Sequence, residues 1–321
     1  GRHHIDRLLL ALKSAARLHR AEREIQILGT LGILYGRQGD TQKALNFYEQ
    51  ALTRSHQVGD RRRQGHILTH IGNAYADLGN LVLAINYYEQ AHQIAIEIND
   101  RYGEGLAVGN LGVIYKQTGD LHRAIRHCEQ ALAISRELRD RRGEGCDLSN
   151  LGTVYRRLGR LDHAITCFEQ ALSISRELGD RHSEGQDLCN LGNVYEDSGQ
   201  STKAIECYEQ FLTVAQEIGD RASESRALYN LGDAYAVDGD FQRGLAYIDR
   251  AIVIRREIGD RRGEANACWR AGQLLEHIGQ YNQAVELLER SIQINRERGI
   301  PDSVEERAHL KRLHHLARHG V

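Results

Sequence analysis

Apolar residues recur along this chain at intervals of three and four, the period of a helix with one buried face. Residues 101 to 140 show the pattern. Leu111, Tyr115 and Thr118 continue an i, i+4, i+7 stripe after the N-cap Asp100. Gly119 then offers a left-handed C′ position, and Asp120 caps a second helix. In that helix Ala124, Ile125, Cys128, Ala131 and Leu132 form the inward stripe, and the pair Asp140-Arg141 restarts the cycle. No segment sustains a period of two, so the pattern predicts helices and no strands.

The cycle repeats every 40 residues. Gly32, Gly72, Gly112, Gly152, Gly192, Gly232 and Gly272 form one comb, and Tyr35, Tyr75, Tyr115, Tyr155, Tyr195 and Tyr235 another, with Leu275 in the seventh copy. Gly39, Gly79, Gly119, Gly159, Gly199, Gly239 and Gly279 follow the same spacing. Ala44, Ala84, Ala124, Ala164, Ala204 and Ala284 do too, interrupted only by Gly244. Seven units of two helices are therefore expected, at 21–60, 61–100, 101–140, 141–180, 181–220, 221–260 and 261–300. Residues 1–20 align with the second helix of a unit, since Ala11-Leu12 matches Ala51-Leu52. In 301–321, Pro301 breaks the chain and Ser303-x-x-Glu306 has the form of a capping box opening a last helix. Its polar residues Arg307, Lys311, Arg312 and His315 suit the solvated face of a terminal cap.

Within a copy the diagnostic positions are Leu148, Leu151-Gly152, Tyr155, Ala164 and Phe168. This resembles the tetratricopeptide repeat (TPR): a large apolar residue, Leu-Gly, Tyr, then Ala and an aromatic. The third copy, with Val108 and Cys128, is a weaker match. Gly152 and Ala164 would let the paired helices approach closely. The copies exceed the family's usual unit of about 34 residues, and Gly-Asp replaces its closing proline. Kinesin light chain and the Leu-Gly-Asn-rich spindle-orientation adaptors are similar in both respects. The resemblance implies an all-α, right-handed α-α superhelical solenoid whose concave wall is lined by the first helix of each pair.

Helical phase identifies the residues on that wall. With Leu31 and Tyr35 inward, positions 26, 30, 33 and 37 of each copy face the other way. Seven of the chain's thirteen asparagines fall on this stripe: Asn73, Asn110, Asn150, Asn190, Asn193, Asn230 and Asn266. Asparagine is a poor helix former, so its concentration there asks for a cause. Its amide offers both donors and an acceptor to an extended peptide backbone. First helices about 10 Å apart would let the ladder Asn110, Asn150, Asn190, Asn230 grip roughly every third peptide residue. Arg270 takes that position in the seventh copy, suited to a ligand carboxylate, and Arg226 lies on the same stripe. Two other readings stand beside this one: the asparagines bond to neighbouring helices, or they were copied with the repeat. Lys116, Arg156 and Arg157 make the middle of the wall basic, and Glu196, Asp197 and Asp233 make the next stretch acidic. Such a wall fits a partner with an acidic segment followed by a more basic one, or an ordinary mixed surface.

Composition narrows the function. At 321 residues the length alone suggests two globular domains, an inference the 40-residue period replaces with a repeat array. One proline beside 32 glycines suits helices punctuated by glycine. A net charge of −2 argues against a nucleic-acid binder, and the apolar runs are too short to span a membrane. Without methionine and starting half-way through a unit, the chain reads as a piece of something longer. His66 and His70 are spaced i, i+4 but lack the Glu of HExxH and a third ligand, so no metal is expected. The six cysteines contain no C-x-x-C; Cys128, Cys167 and Cys207 read as small core residues of a reducing, cytoplasmic compartment, while Cys146 and Cys189 lie on or beside the wall. Thirty-seven of 42 basic residues are arginine, read here as genomic bias in preference to ion pairing. There is no phosphate-binding loop, no catalytic constellation and no cofactor motif, so an enzyme is not expected.

The expected function is a non-enzymatic, peptide- or protein-binding scaffold. Near-identical copies with joints such as Gly259 to Glu264 resemble the C-terminal TPR sensor of bacterial STAND signal-transduction ATPases. That resemblance implies an upstream ATPase domain as a further partner. The alternative is a free-standing adaptor in the style of kinesin light chain or the spindle-orientation proteins.

Overall fold

The computed structural model describes residues 2–18 and 20–319, and every regular element among them is an α-helix. The chain divides into two compact units, Gly1–Arg160 and Leu161–Val321, the boundary falling between the two helices of the fourth copy. The first unit holds α1 (Arg2–Arg17), α2 (Ala21–Arg37), α3 (Thr41–Val58), α4 (Arg61–Asp77), α5 (Leu81–Glu97), α6 (Arg101–Thr118), α7 (Leu121–Glu137) and α8 (Arg141–Arg157). The second holds α9 (Leu161–Glu177), α10 (Arg181–Asp197), α11 (Ser201–Glu217), α12 (Arg221–Val237), α13 (Phe241–Glu257), α14 (Arg261–His277), α15 (Tyr281–Glu297) and α16 (Val304–His319).

The helix ends obey the sequence. Asp100, Asp120 and Asp140 each accept a hydrogen bond from the backbone N–H three residues on, as do Asp180, Asp220 and Asp260 in the second unit. Each thereby satisfies a donor that the helix start leaves over. Gly119 ends α6 with φ 86°. The left-handed turn is a demand of the joint itself, because Asn99 (φ 56°) and Arg139 (φ 55°) adopt it without being glycine. The capping box forms as the sequence predicts: Glu306 N–H donates to Ser303 Oγ at 2.9 Å, and Ser303 N–H donates to Glu306 Oε2 at 2.7 Å. Arg307, Lys311, Arg312 and His315 are all exposed on α16.

Within each unit every helix packs on the next, and first helices of successive pairs also touch: α2 with α4, α4 with α6, α6 with α8, and α10 with α12. Each unit is a stack of helix hairpins, the arrangement of a TPR solenoid. The glycine comb sets the spacing inside a hairpin. A Cβ on Gly72 would stand 2.6 Å from the Tyr88 ring, and one on Gly192 would stand 2.5 Å from the ring of Tyr208. Gly244, the interruption in the alanine comb, marks a still closer approach. A Cβ there would meet the Gly232 carbonyl at 2.6 Å, leaving room for hydrogen only.

Between hairpins, the tyrosine comb reaches back one copy. Tyr155 donates to Glu129 at 3.1 Å; in the second unit Tyr195 donates to Glu169 at 3.1 Å and Tyr235 to Glu209 at 3.3 Å. The arginines, attributed above to genomic bias, have a structural use. Arg101 bridges Glu104 one turn on and Glu137 at the end of its partner helix, and Arg181, Arg221 and Arg261 repeat this with Glu184 and Glu217, Glu224 and Glu257, and Glu264 and Glu297. Only a planar, multidentate head can serve two carboxylates in this way. Glu264, fully buried, gathers Arg256, Arg261 and Arg290 at 3.0, 2.8 and 2.8 Å. Burial pushes its carboxyl up, and the guanidinium groups of Arg290 and Arg256 outweigh that and hold it below the usual range.

Gly192→Ala is expected to destabilise the chain by about 1–3 kcal/mol, because the added methyl must displace the fully buried Tyr208 ring. Thermal denaturation of the variant followed by circular dichroism checks this, and an unchanged melting temperature would contradict it.

Candidate functional site: the wall of first helices

Each first helix turns its Leu-Gly-x-x-Tyr stripe into the hairpin, so the opposite stripe must face out. It does: none of the 28 residues at the four stripe positions of the seven copies is buried. In α6 the outer positions Leu106 and Gln117 are exposed and the inner Asn110 and Val113 half-buried; in α10 Gln186 and Asp197 are exposed, Asn190 and Asn193 half-buried. The half-buried positions lie against the neighbouring first helix, where a ligand would find side chains already held on one side.

The asparagines divide by what they touch. Asn150 Oδ1 accepts from Lys116 Nζ of the preceding copy at 3.2 Å, and Asn230 makes a long 3.7 Å contact to Cys189 Sγ. Asn73 and Asn193 accept from the hydroxyls of Tyr88 (2.6 Å) and Tyr208 (2.8 Å). For these four the bond to neighbouring side chains is present. Among the described residues no such bond engages the amides of Asn110, Asn190 or Asn266, although Asn110 and Asn190 are half-buried. Arg270, expected to meet a ligand carboxylate, has its Nε 2.5 Å from Asp233 Oδ1. Arg226 lies over the Phe211 ring at 5.2 Å.

The charge pattern is altered by the same contacts. Lys116 is half-buried, burial pushes its ammonium below the usual lysine range, and Arg157 donates to its backbone carbonyl. Arg156 is half-buried beside Arg157 on α8. In the second unit Arg270 offsets Asp233, and Glu196 accepts from Tyr208 at 3.1 Å. The two histidines of α4 attend to different neighbours: His66 faces Asp100 at 3.4 Å, while His70 stacks on Tyr48 at 5.5 Å. Among the described residues no group of three His, Cys, Asp or Glu side chains could hold a metal, and no helix is long and apolar enough to cross a membrane. Cys146 is exposed on the wall and Cys189 is buried beside it.

One feature of the wall was not anticipated. A cavity of about 430 Å³ opens among α6, α7 and the start of α8, with Asn110 and Asn150 at its edge and Leu106, Val113 and Leu138 along its sides. In its lining lies Asp147, whose Oδ2 accepts from Ser135 Oγ at 2.7 Å. Burial pushes its carboxyl up to about 6, the Ser135 bond opposes this, and the charge of Asp140 adds to it. The sequence does carry a signal: the column reads Ile27, Ile67, Ala107, Asp147, Asp187, Ala227, Ala267, two acids in an otherwise apolar position.

Family models described as Tetratricopeptide repeat match residues 27–62, 63–137, 144–217 and 223–297. No curated protein matches the chain. Among solved structures the chain is similar to a Signal Transduction ATPase with Numerous Domains (STAND) protein with a tetratricopeptide repeat sensor from Pyrococcus horikoshii. The TM-score is 0.68 at 18% identity, over 91% of this chain and 42% of that one. It is similar to the apo form of RapI (TM-score 0.67, 17% identity, 86% of this chain and 99% of that). A putative kinesin light chain of Podosopora anserina, with nearly identical TPR-like repeats, also matches (TM-score 0.54, 21% identity, 60% and 95%). At these identities the likeness is one of fold, and the chain spans less than half of the STAND protein.

An acid whose folded-state value lies above its unfolded one is penalised wherever it is ionised. The penalty at Asp147 builds between about pH 4 and pH 6 and is complete above that. Asp147→Asn is therefore expected to gain about 1–2 kcal/mol over the natural chain at pH 8, after discounting for partial exposure, with the gain vanishing by about pH 4. Melting curves of both proteins across that range check the sign; a variant less stable at pH 8 would refute it.

Proposed function

The chain belongs to the tetratricopeptide repeat family, and we propose that it is a non-enzymatic scaffold whose units each hold an extended peptide segment of a protein partner along their first helices. The observation that carries this reading is the state of Asn110 and Asn190. Both present half-buried amides, in the middle of helices that asparagine disfavours, with no side-chain bond among the described residues. Such an amide has both its donors and its acceptor available to a peptide backbone. Asn150 and Asn230, at the same position of the other copies, would exchange their present contacts for the peptide.

The finer assignment is to the ligand sensor of a STAND-type ATPase, with the nucleotide-binding switch on the same polypeptide. It draws support from the extent of the fold match, 91% of this chain against a protein that carries a TPR sensor, and from the Gly-Asp-Arg-Arg-Gly-Glu joint at 259–264. The adaptor reading has its own support, since the chain covers 99% of RapI and 95% of the kinesin light chain repeats. Six cysteines, five of them buried and none in a disulfide, suit the reducing cytoplasm in either case. Sequencing the coding region upstream separates the two: a P-loop ATPase supports the sensor, and its absence supports the adaptor.

The scaffold reading is tested with a displayed library of random twelve-residue peptides selected on the full chain. Binders are expected to lose at least tenfold in affinity for Asn110→Ala plus Asn190→Ala, while the melting temperature stays within about 2 °C because neither amide bonds within the chain. Binding that persists undiminished in this double variant would remove the asparagines from the site.

A further inference from the structure

The cavity among α6, α7 and α8 has a counterpart at the junction of α12, α13 and α14, and there the protein fills it with its own side chains. Two columns of the repeat decide the difference. Where α6 has Gly109, α12 has Tyr229; where α7 has Ser135, α13 has Arg255. Arg255 is buried, its guanidinium lies over the Tyr229 ring at 4.6 Å, and its NH1 donates to the Gly263 carbonyl at 2.8 Å. The corresponding carbonyl at the first junction belongs to Gly143, which lines the cavity.

At the first junction the ring and the guanidinium are gone, and an acid has been added. Asp147 stands where the other junction has Ala267. A Cβ on Gly109 would lie 3.6 Å from Asp147 Oδ1, so that oxygen looks across the space the glycine leaves. Ser135 engages Oδ2, and among the described residues no side chain or backbone group donates to Oδ1. Asp140 and Asp147 outweigh Arg142 among the charges of the lining, while Leu106, Val113 and Leu138 would cover an aliphatic stem.

We propose that this slot receives an arginine side chain of the bound peptide, its guanidinium donating to Asp147 Oδ1 and to the Gly143 carbonyl. The slot thus takes from a partner the group that the second unit supplies from Arg255. The fork of the guanidinium serves two acceptors at once, which an ammonium does less well. Asn110 and Asn150 at the edge of the cavity would hold the backbone on either side of that arginine.

This inference rests on the peptide-binding reading of the wall, and one experiment separates the two. The displayed library is selected on the natural chain, on Gly109→Tyr and on Ser135→Arg, the last two reproducing the filled junction. Circular dichroism melting verifies that each variant is folded, and Asp147→Asn serves as the variant that leaves the cavity volume unchanged. Peptides from the natural chain are expected to carry arginine at one fixed position. Replacing it by citrulline should weaken binding at least tenfold on the natural chain and less than twofold on Asp147→Asn and on either filled variant. Binders with no fixed arginine, or with an arginine equally important on all four proteins, overturn the slot and leave the wall standing. No binders on any of them overturns both.

Discussion

The structure depends on a contact in which one side has no side chain at all. Glycines of the first helices lie against side chains of the second, Gly72 on Tyr88 and Gly192 on Tyr208, at distances no Cβ would survive. Because the helices meet there so closely, the hairpin has one crossing geometry. Because the contact recurs in copy after copy, every first helix points the same stripe outward. The wall is a consequence of that repetition, and without it the asparagines would be scattered polar residues on separate helices.

A second layer of contacts fixes neighbouring elements to each other. The tyrosine that follows the glycine reaches a glutamate one copy back, and the arginine after each capping aspartate ties the start of a first helix to the end of its partner. These ties lie at the ends and backs of the hairpins, away from the outward stripe. The stripe is thereby free to vary from copy to copy, and it does: the column of Gln26, His66, Leu106, Cys146, Gln186, Arg226 and Asn266 runs from aliphatic to cationic. A regular frame carrying an irregular face is how a repeat protein becomes specific for one partner.

The helices, their caps and the phase of the wall are legible in the sequence because each is a local property. Asp100, Gly119 and the Ser303–Glu306 box act on residues within one turn of themselves. Helical phase needs only a period of 3.6 residues and one known inward residue. The state of the candidate site is another matter. Lys116 bonds to Asn150 34 residues away and Arg270 to Asp233 37 residues away, each across the gap between hairpins. Sequence spacing places such pairs on the same wall, but it does not say which side chains meet.

The sequence by itself therefore determined the class of fold and which face of each first helix turns outward, because a periodic chain of capped helices has few ways to bury its stripe. Tertiary structure alone decided which of those residues are engaged. It gave Asn150 and Arg270 partners inside the chain, left the amides of Asn110 and Asn190 without one, and emptied the space beside Asp147. The physical reason is distance: a hydrogen bond is made or lost over a few tenths of an ångström. That spacing is set where two hairpins pack, by side chains that lie far apart in the sequence.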